Sequence, residues 1–152
     1  MIIVSACLCG MNTKYNGGNN LDEKVVSLLR EGKAMAVCPE QLGGLSTPRP
    51  PHEICYGTGA EVLDGKAKIL TKEGNDGTEQ FLKGAYETLK IAKECGVKVA
   101  ILKARSPSCG YGKIYDGTFT GSKIDGNGVT VELLRRNGIK VFSEEDSLKE
   151  IE

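Results

Sequence analysis

Three short apolar runs in this chain each lead into a cysteine, and that repetition constrains the fold more than any other feature. Ile2-Ile3-Val4 leads to Cys7, Ala34-Met35-Ala36-Val37 to Cys38, and Val97-Lys98-Val99-Ala100-Ile101-Leu102 to the turn Arg105-Ser106-Pro107-Ser108-Cys109-Gly110. Runs of this length and composition read as buried strands. Between the first two, Asp22 opens a helix with Val25, Val26, Leu28 and Leu29 on one side, closing near Gly32. Strands over residues 1–6 and 34–38 joined by one helix form a βαβ unit, so they are predicted parallel with a right-handed crossover.

The alternation continues. Residues 78–95 read as the longest helix, capped by Thr78, with Phe81, Leu82, Ala85, Leu89 and Ala92 as its apolar stripe and Gly96 at its end. The third strand, 97–102, follows it. A last helix over 128–137, stopped by Gly138, precedes a fourth strand at 139–142. The predicted fold class is α/β: a single domain over 1–152 with a parallel sheet and helices on both faces, a three-layer Rossmann-like or flavodoxin-like arrangement. Around it lie a small hairpin and long loops. Glu61 to Leu70 alternates about Asp64-Gly65 and is predicted as a hairpin. Tyr111 to Asn127 reads as loop or small hairpin, and the Gly/Pro-dense stretch Pro39–Pro51 as irregular, ordered and functional. In such sheets ligands sit beyond the carboxyl ends of the strands, at the switch point.

Composition narrows the chemistry. Twenty basic and twenty acidic residues cancel, so neither nucleic acid nor an anionic membrane is an expected partner. No apolar run approaches the roughly 20 residues of a membrane span, and Met1-Ile2-Ile3-Val4 lacks the basic flank and length of a signal peptide. A cytoplasmic protein is expected. Six cysteines in a 152-residue chain of this kind point to metal binding or thiol chemistry rather than a disulfide framework. His52 is the single histidine, so a nitrogen-rich metal site is excluded.

If the strands are parallel and adjacent, Cys7, Cys38 and Cys109 gather at one edge of the sheet. Their separations of 31 and 71 residues match no compact metal motif, so the signal is topological. Free cysteines are often simply buried, and three small core residues is the plain alternative. The functional alternative is a thiolate site for zinc or an iron–sulfur cluster. Zinc needs a fourth ligand, for which Cys9 and His52 are the candidates; in an extended segment Cys9 points away from Cys7. A cubane held by three cysteines leaves one iron open as a soft Lewis acid. Cys55 and Cys95 read as structural. Glu40, two residues past Cys38, stands on the same rim as a candidate general base or acid. Ser106 and Ser108 are candidates to bond a substrate or relay a proton. Arg49 and Arg105 can clamp an anion or stack on a planar ring, and Tyr15 with Asn16 flanks the site if the first loop folds over it.

Three segments carry a resemblance. Ser5-Ala6-Cys7-Leu8-Cys9-Gly10 with Lys14-Tyr15-Asn16-Gly17, Cys38-Pro39-Glu40-Gln41-Leu42-Gly43-Gly44-Leu45 with Thr47-Pro48-Arg49-Pro50-Pro51, and Ser106-Pro107-Ser108-Cys109-Gly110 with Tyr115-Asp116-Gly117-Thr118-Phe119 resemble the motifs of a small bacterial and archaeal family that includes the short thiouracil desulfurases. The resemblance runs nearly end to end. It implies a 4Fe-4S cluster held by Cys7, Cys38 and Cys109, a catalytic Glu40, a serine from the third motif, and removal of sulfur from a thiolated pyrimidine without net redox change. Cys9 stands where the family pattern has an aliphatic residue, Lys14 where it has arginine and Asn16 where it has aspartate. A cluster-carrying or electron-transfer protein, a zinc-stabilised binding module and a metal-free thiol protein are the rival readings, and the oligomeric state, including a homodimer, is left open.

Overall fold

The apolar runs become a four-stranded parallel sheet. The structure, a computed structural model, describes residues 1–146 and 149. Strands β1 (Ile2–Ser5), β2 (Ala34–Val37), β5 (Val99–Leu102) and β8 (Lys140–Ser143) lie in the order β2-β1-β5-β8. All three pairings are parallel, with Ile3 opposite both Met35 and Ala100. Counting only these four, the spatial order is 2-1-3-4, the flavodoxin-like winding, whose direction reverses between β1 and β5.

Adjacent residues of a strand face opposite sides, and both sides here are apolar. Ile3, Ala100 and Leu102 join the larger core with Phe81, Ala85, Leu89 and Leu134. Val4 and Ile101 join a second core with Leu8, Val25, Val26 and Leu28. Helix α1 (Glu23–Arg30) covers the second face; its cap Asp22 accepts from the backbone amides of Lys24 and Val25. Helices α4 (Thr78–Glu94) and α5 (Val129–Arg136) pack together on the first. No helix among the described residues is long and apolar enough to cross a membrane.

Four local expectations need correction. The stretch after Cys38 is not all irregular: Pro39–Leu42 forms the one-turn helix α2, with Pro39 at its first position, where a missing N–H costs nothing. Residues 61–70 do not make a hairpin. Gly59–Leu63 is helix α3, and β4 (Lys68–Thr71) pairs antiparallel with β3 (His52–Cys55) instead. An Asp-Gly pair ends a helix as readily as it turns a hairpin, and here Gly65 takes a φ of 76° behind the α3 cap Asp64. Thr78 is not the cap of α4: Gly77 is, while Asp76 accepts from the Thr78 amide and Thr78 Oγ1 accepts from the Ile69 amide. Finally, Ala6–Cys9 is a 3-10 turn rather than extended chain. The small hairpin within 111–127 is present as β6 (Lys113–Tyr115) and β7 (Lys123–Asp125).

One close approach sets the height of α2 above the sheet edge. A Cβ on Gly43 would lie 1.9 Å from the Gln80 carbonyl oxygen, and one on Gly84 would lie 1.9 Å from that of Pro39. Only two glycines let α2 and α4 meet backbone to backbone. Gly84→Ala is therefore expected to push α2 outward and destabilise the protein by about 1–3 kcal/mol, read as a lower denaturant midpoint at unchanged slope.

Candidate active site

The carboxyl edge of the sheet opens into a cavity of about 710 Å³. Cys7, Cys38 and Cys109 all line it, together with Glu40, Arg49, Ser106, Arg105 and Tyr15. The topology explains the convergence. β1 lies between β2 and β5, so the chain leaving each of these parallel strands emerges beside its neighbour. Cys7 sits in the 3-10 turn after β1, Cys38 is the cap residue of α2 after β2, and Cys109 lies in the turn after β5.

That last turn is braced from behind. Ser106 Oγ accepts from the Cys109 amide at 2.6 Å. The start of α5 stitches to it, with the Val129 amide donating to the Pro107 carbonyl at 2.8 Å and the Thr130 amide to that of Ser108 at 3.0 Å. The two candidate serines part company here. Ser106 lines the cavity, whereas Ser108 is buried and shares a 2.7 Å hydrogen bond with Thr130 Oγ1, away from the cavity wall. Cys9 is buried in the core beneath α1 and does not line the cavity. Cys55 is half-buried with its Sγ near the Glu53 and Gly117 carbonyls, and Cys95 is exposed at the end of α4.

Arg49 is committed to the protein itself. Its Nε donates to Glu40 Oε2 at 2.7 Å and its Nη2 pairs with the same oxygen. Nη1 donates to the Ser46 carbonyl and Thr47 Oγ1, and Nη2 to the Thr13 carbonyl. Four hydrogen bonds and an ion pair thus engage the guanidinium on all three of its nitrogens, and its side chain is only 5% exposed. Arg49 thus ties α2, the 46–51 segment and the first loop together and orients one carboxylate. Arg105 lines the cavity with Nη2 paired to Glu145 at 2.7 Å. Tyr15 is 42% exposed, and its carbonyl accepts from the Arg49 amide at 2.7 Å. Asn16 turns back on its own loop, accepting from the Gly18 amide, and is not part of the cavity wall. His52 lines the cavity in contact with Phe81; burial lowers its basicity, favouring the neutral imidazole.

Electrostatically the site is short of places for negative charge. Burial pushes the Cys7, Cys38 and Cys109 thiols up. Cys38 raises Cys7 further, Cys7 and Cys38 both raise Cys109, and Glu40 adds to the effect at Cys38 and Cys109. Asn20, by a hydrogen bond, and Lys103, by its charge, favour the Cys7 thiolate. Burial likewise lifts the Glu40 carboxyl above the usual carboxylate range, with Arg49 pulling back. Three thiols held this way need an external cation to become thiolates. Among the described residues, no three His, Cys, Asp or Glu side chains come close enough together to hold a single metal ion. Cys7, Cys38 and Cys109 nevertheless all stand on the wall of one cavity. Thr13 Oγ1, on a residue lining the same cavity, is buried with no hydrogen-bond partner.

Several wall residues were not singled out from sequence. Lys103 follows β5 directly; its ammonium pairs with Glu144 at 2.9 Å and its amide donates to Ser5 Oγ at 2.9 Å. The rule that ligands gather beyond the carboxyl ends of strands would have pointed to Lys103 and Ser5. Asn20, Thr13, Glu53 and Phe119 also line the cavity; Phe119 lies within the third motif quoted above, whereas the other three arrive from loops and a separate sheet with no local signal.

The fold and the cavity define a small α/β protein whose ligand crevice, at the switch point of a parallel sheet, is walled by three thiols and by carboxylates that include the buried Glu40. Residues 2–146 match the family model for 2-thiouracil desulfurase, and the chain belongs to that family. It is 53% identical over 146 residues to the uncharacterized protein YbbK of Bacillus subtilis (strain 168), covering 96% of this chain and 97% of that one. A solved structure of a 4Fe-4S-dependent thiouracil desulfidase, TudS, superposes with a TM-score of 0.86 at 45% identity, covering 98% of this chain and 93% of the other.

The buried Arg49–Glu40 pair yields a stability test. Breaking such a pair from one side leaves an uncompensated charge and costs about 3–5 kcal/mol. Arg49→Met should lower stability by about that amount in denaturant unfolding, and adding Glu40→Gln should recover part of the loss. An equal loss in the single and double variants would show that Arg49 matters only through its backbone partners.

Proposed function

We propose that this protein removes sulfur from a thiolated pyrimidine of the thiouracil kind. Water supplies the oxygen: a C=S bond and water give a C=O bond and hydrogen sulfide, with no net oxidation or reduction. The observation that carries the reading is the convergence of Cys7, Cys38 and Cys109 on one cavity that also holds Glu40. Membership of the 2-thiouracil desulfurase family supports it.

Cys7, Cys38 and Cys109 would hold a 4Fe-4S cluster of the type on which the solved relative depends; when bound, it supplies a soft Lewis-acid iron, free of a protein ligand, for the thiocarbonyl sulfur. Glu40 acts as general base on the attacking water. Its burial keeps it a stronger base than an exposed carboxylate, and Arg49 fixes the direction from which it accepts the proton. Ser106 already accepts from the Cys109 amide, which leaves its own proton to donate to the ring or the departing sulfur. Ser108 supports the turn through Thr130 rather than acting on substrate. Arg105 and Tyr15, on the cavity wall, contact the heterocycle or its substituents. The reading takes the chain as one cytoplasmic domain with a small-molecule partner. Its zero net charge supports the exclusion of nucleic acid, and either a monomer or a homodimer is compatible with it.

Anaerobically reconstituted protein is expected to bleach the thione absorbance of 2-thiouracil and release one sulfide per uracil formed. Failure across several thiolated pyrimidines with the cluster intact would remove the reading. Glu40→Gln should lower kcat by about 10²-fold or more while retaining iron. Glu40 must be ionised to act, so activity should fall on acidification, with its midpoint above that of an ordinary carboxylate because burial raises this group. That acid limb should vanish in the residual activity of Glu40→Gln.

A further inference from the structure

Four aromatic side chains other than His52 line the cavity: Tyr15, Phe81, Tyr115 and Phe119. Three have a ring partner already. The Lys14 ammonium sits 5.8 Å from the Tyr15 centroid, the Lys123 ammonium 5.7 Å from that of Tyr115, and the His52 ring 5.2 Å from that of Phe81, which is itself 1% exposed. Among the described residues, Phe119 is the cavity aromatic with no ring or cation against it.

The backbone of Phe119 is also held in an unfavourable state. Its φ is 59°, in the left-handed region that bulky side chains avoid. A single carboxylate oxygen keeps it there. Glu53 Oε1, reaching from β3, accepts from the Gly117 amide at 2.9 Å and from the Phe119 amide at 3.2 Å. Two N–H groups converging on one anion are a charge-assisted clamp. Gly117, with a φ of 90°, lets the turn lie flat on β3: a Cβ there would be 2.6 Å from the Ile54 carbonyl oxygen. Asp116 closes the turn from its other side by accepting from the Thr118 amide at 3.0 Å. Backbone strain of this sort persists only where surrounding contacts over-determine it, and it clusters at ligand clamps.

We propose that Phe119 is the specificity wall of the cavity: its uncommitted ring stacks on the planar heterocycle, and Glu53 is the positioning residue that holds the 116–119 turn against the site. The proposal rests on the desulfuration reading and deepens it by naming the residue that recognises a flat ring. Stacking depends on planarity, so the wall favours an aromatic pyrimidine over one whose ring is saturated and puckered. The carboxylate acts through the turn and touches no reacting atom.

The test uses the anaerobic cluster-loaded protein and two sulfur-free inhibitors, uracil and 5,6-dihydrouracil, beside the 2-thiouracil assay. In the wild type uracil should bind several-fold tighter than dihydrouracil. Phe119→Leu should raise KM for 2-thiouracil and the inhibition constant of uracil about three- to tenfold, change kcat less, and remove the discrimination between the inhibitors. Phe119→Tyr should restore that discrimination. Glu53→Ala should copy Phe119→Leu in binding while keeping iron per chain. If the wild type turns over thiouracil but Phe119→Leu keeps the preference for uracil, the stacking wall is overturned and the desulfuration reading stands. If the wild type shows no turnover yet binds uracil with a preference that Phe119→Leu abolishes, the desulfuration reading falls and the wall stands. A wild type that binds no pyrimidine overturns both.

Discussion

The parallel pairing of β1 with β2 on one side and β5 on the other is the constraint from which the rest follows. Because the three strands run the same way and sit side by side, the residues that leave them are brought to one rim however far apart they are in sequence. The sheet tolerates this burial only because both faces are apolar, with Ile3 and Val4 feeding opposite cores from neighbouring positions. The winding reverses between β1 and β5, so the crevice opens between the turns that carry Cys7 and Cys109. Cys38 completes the set because α2 starts immediately after β2 and is held low over the rim by the glycine contact with α4.

Around this rim the protein places groups that resist charge and then surrounds them with fixed donors. Burial disfavours the three thiolates and the Glu40 carboxylate alike. Arg49 answers Glu40 through direct contact, while Lys103 lies near Cys7 and is anchored by Glu144. The cluster proposed for this cavity would supply the positive charge that these buried sulfurs lack.

Much of this was legible in the sequence. The apolar runs and their intervening helices defined the α/β class and the parallel rim, because strand burial and helix amphipathicity are written in local periodicity. The misreadings came where one signal serves two structures. Asp64-Gly65 ends α3 rather than turning a hairpin, and the proline-dense stretch after Cys38 begins with a helix that Pro39 is suited to start. Other features were out of reach because they depend on distant partners. Ser106 and Ser108 flank the same proline, and only the docking of α5 sends Ser108 inward to Thr130. Arg49 looked free to meet a ligand until Glu40, Ser46, Thr47 and Thr13 were seen to surround it. Glu53 and Phe119 are 66 residues apart, joined only by the fold.

The convergence of the three strand exits is best tested by locating iron directly. Protein purified and crystallised without oxygen can be measured at the iron absorption edge, where anomalous density marks iron alone. The expected result is one compact iron-containing centre inside the cavity, bonded to Cys7, Cys38 and Cys109 and to no other side chain. Iron bonded to Cys9 or His52, or a centre lying outside this cavity, would contradict the account.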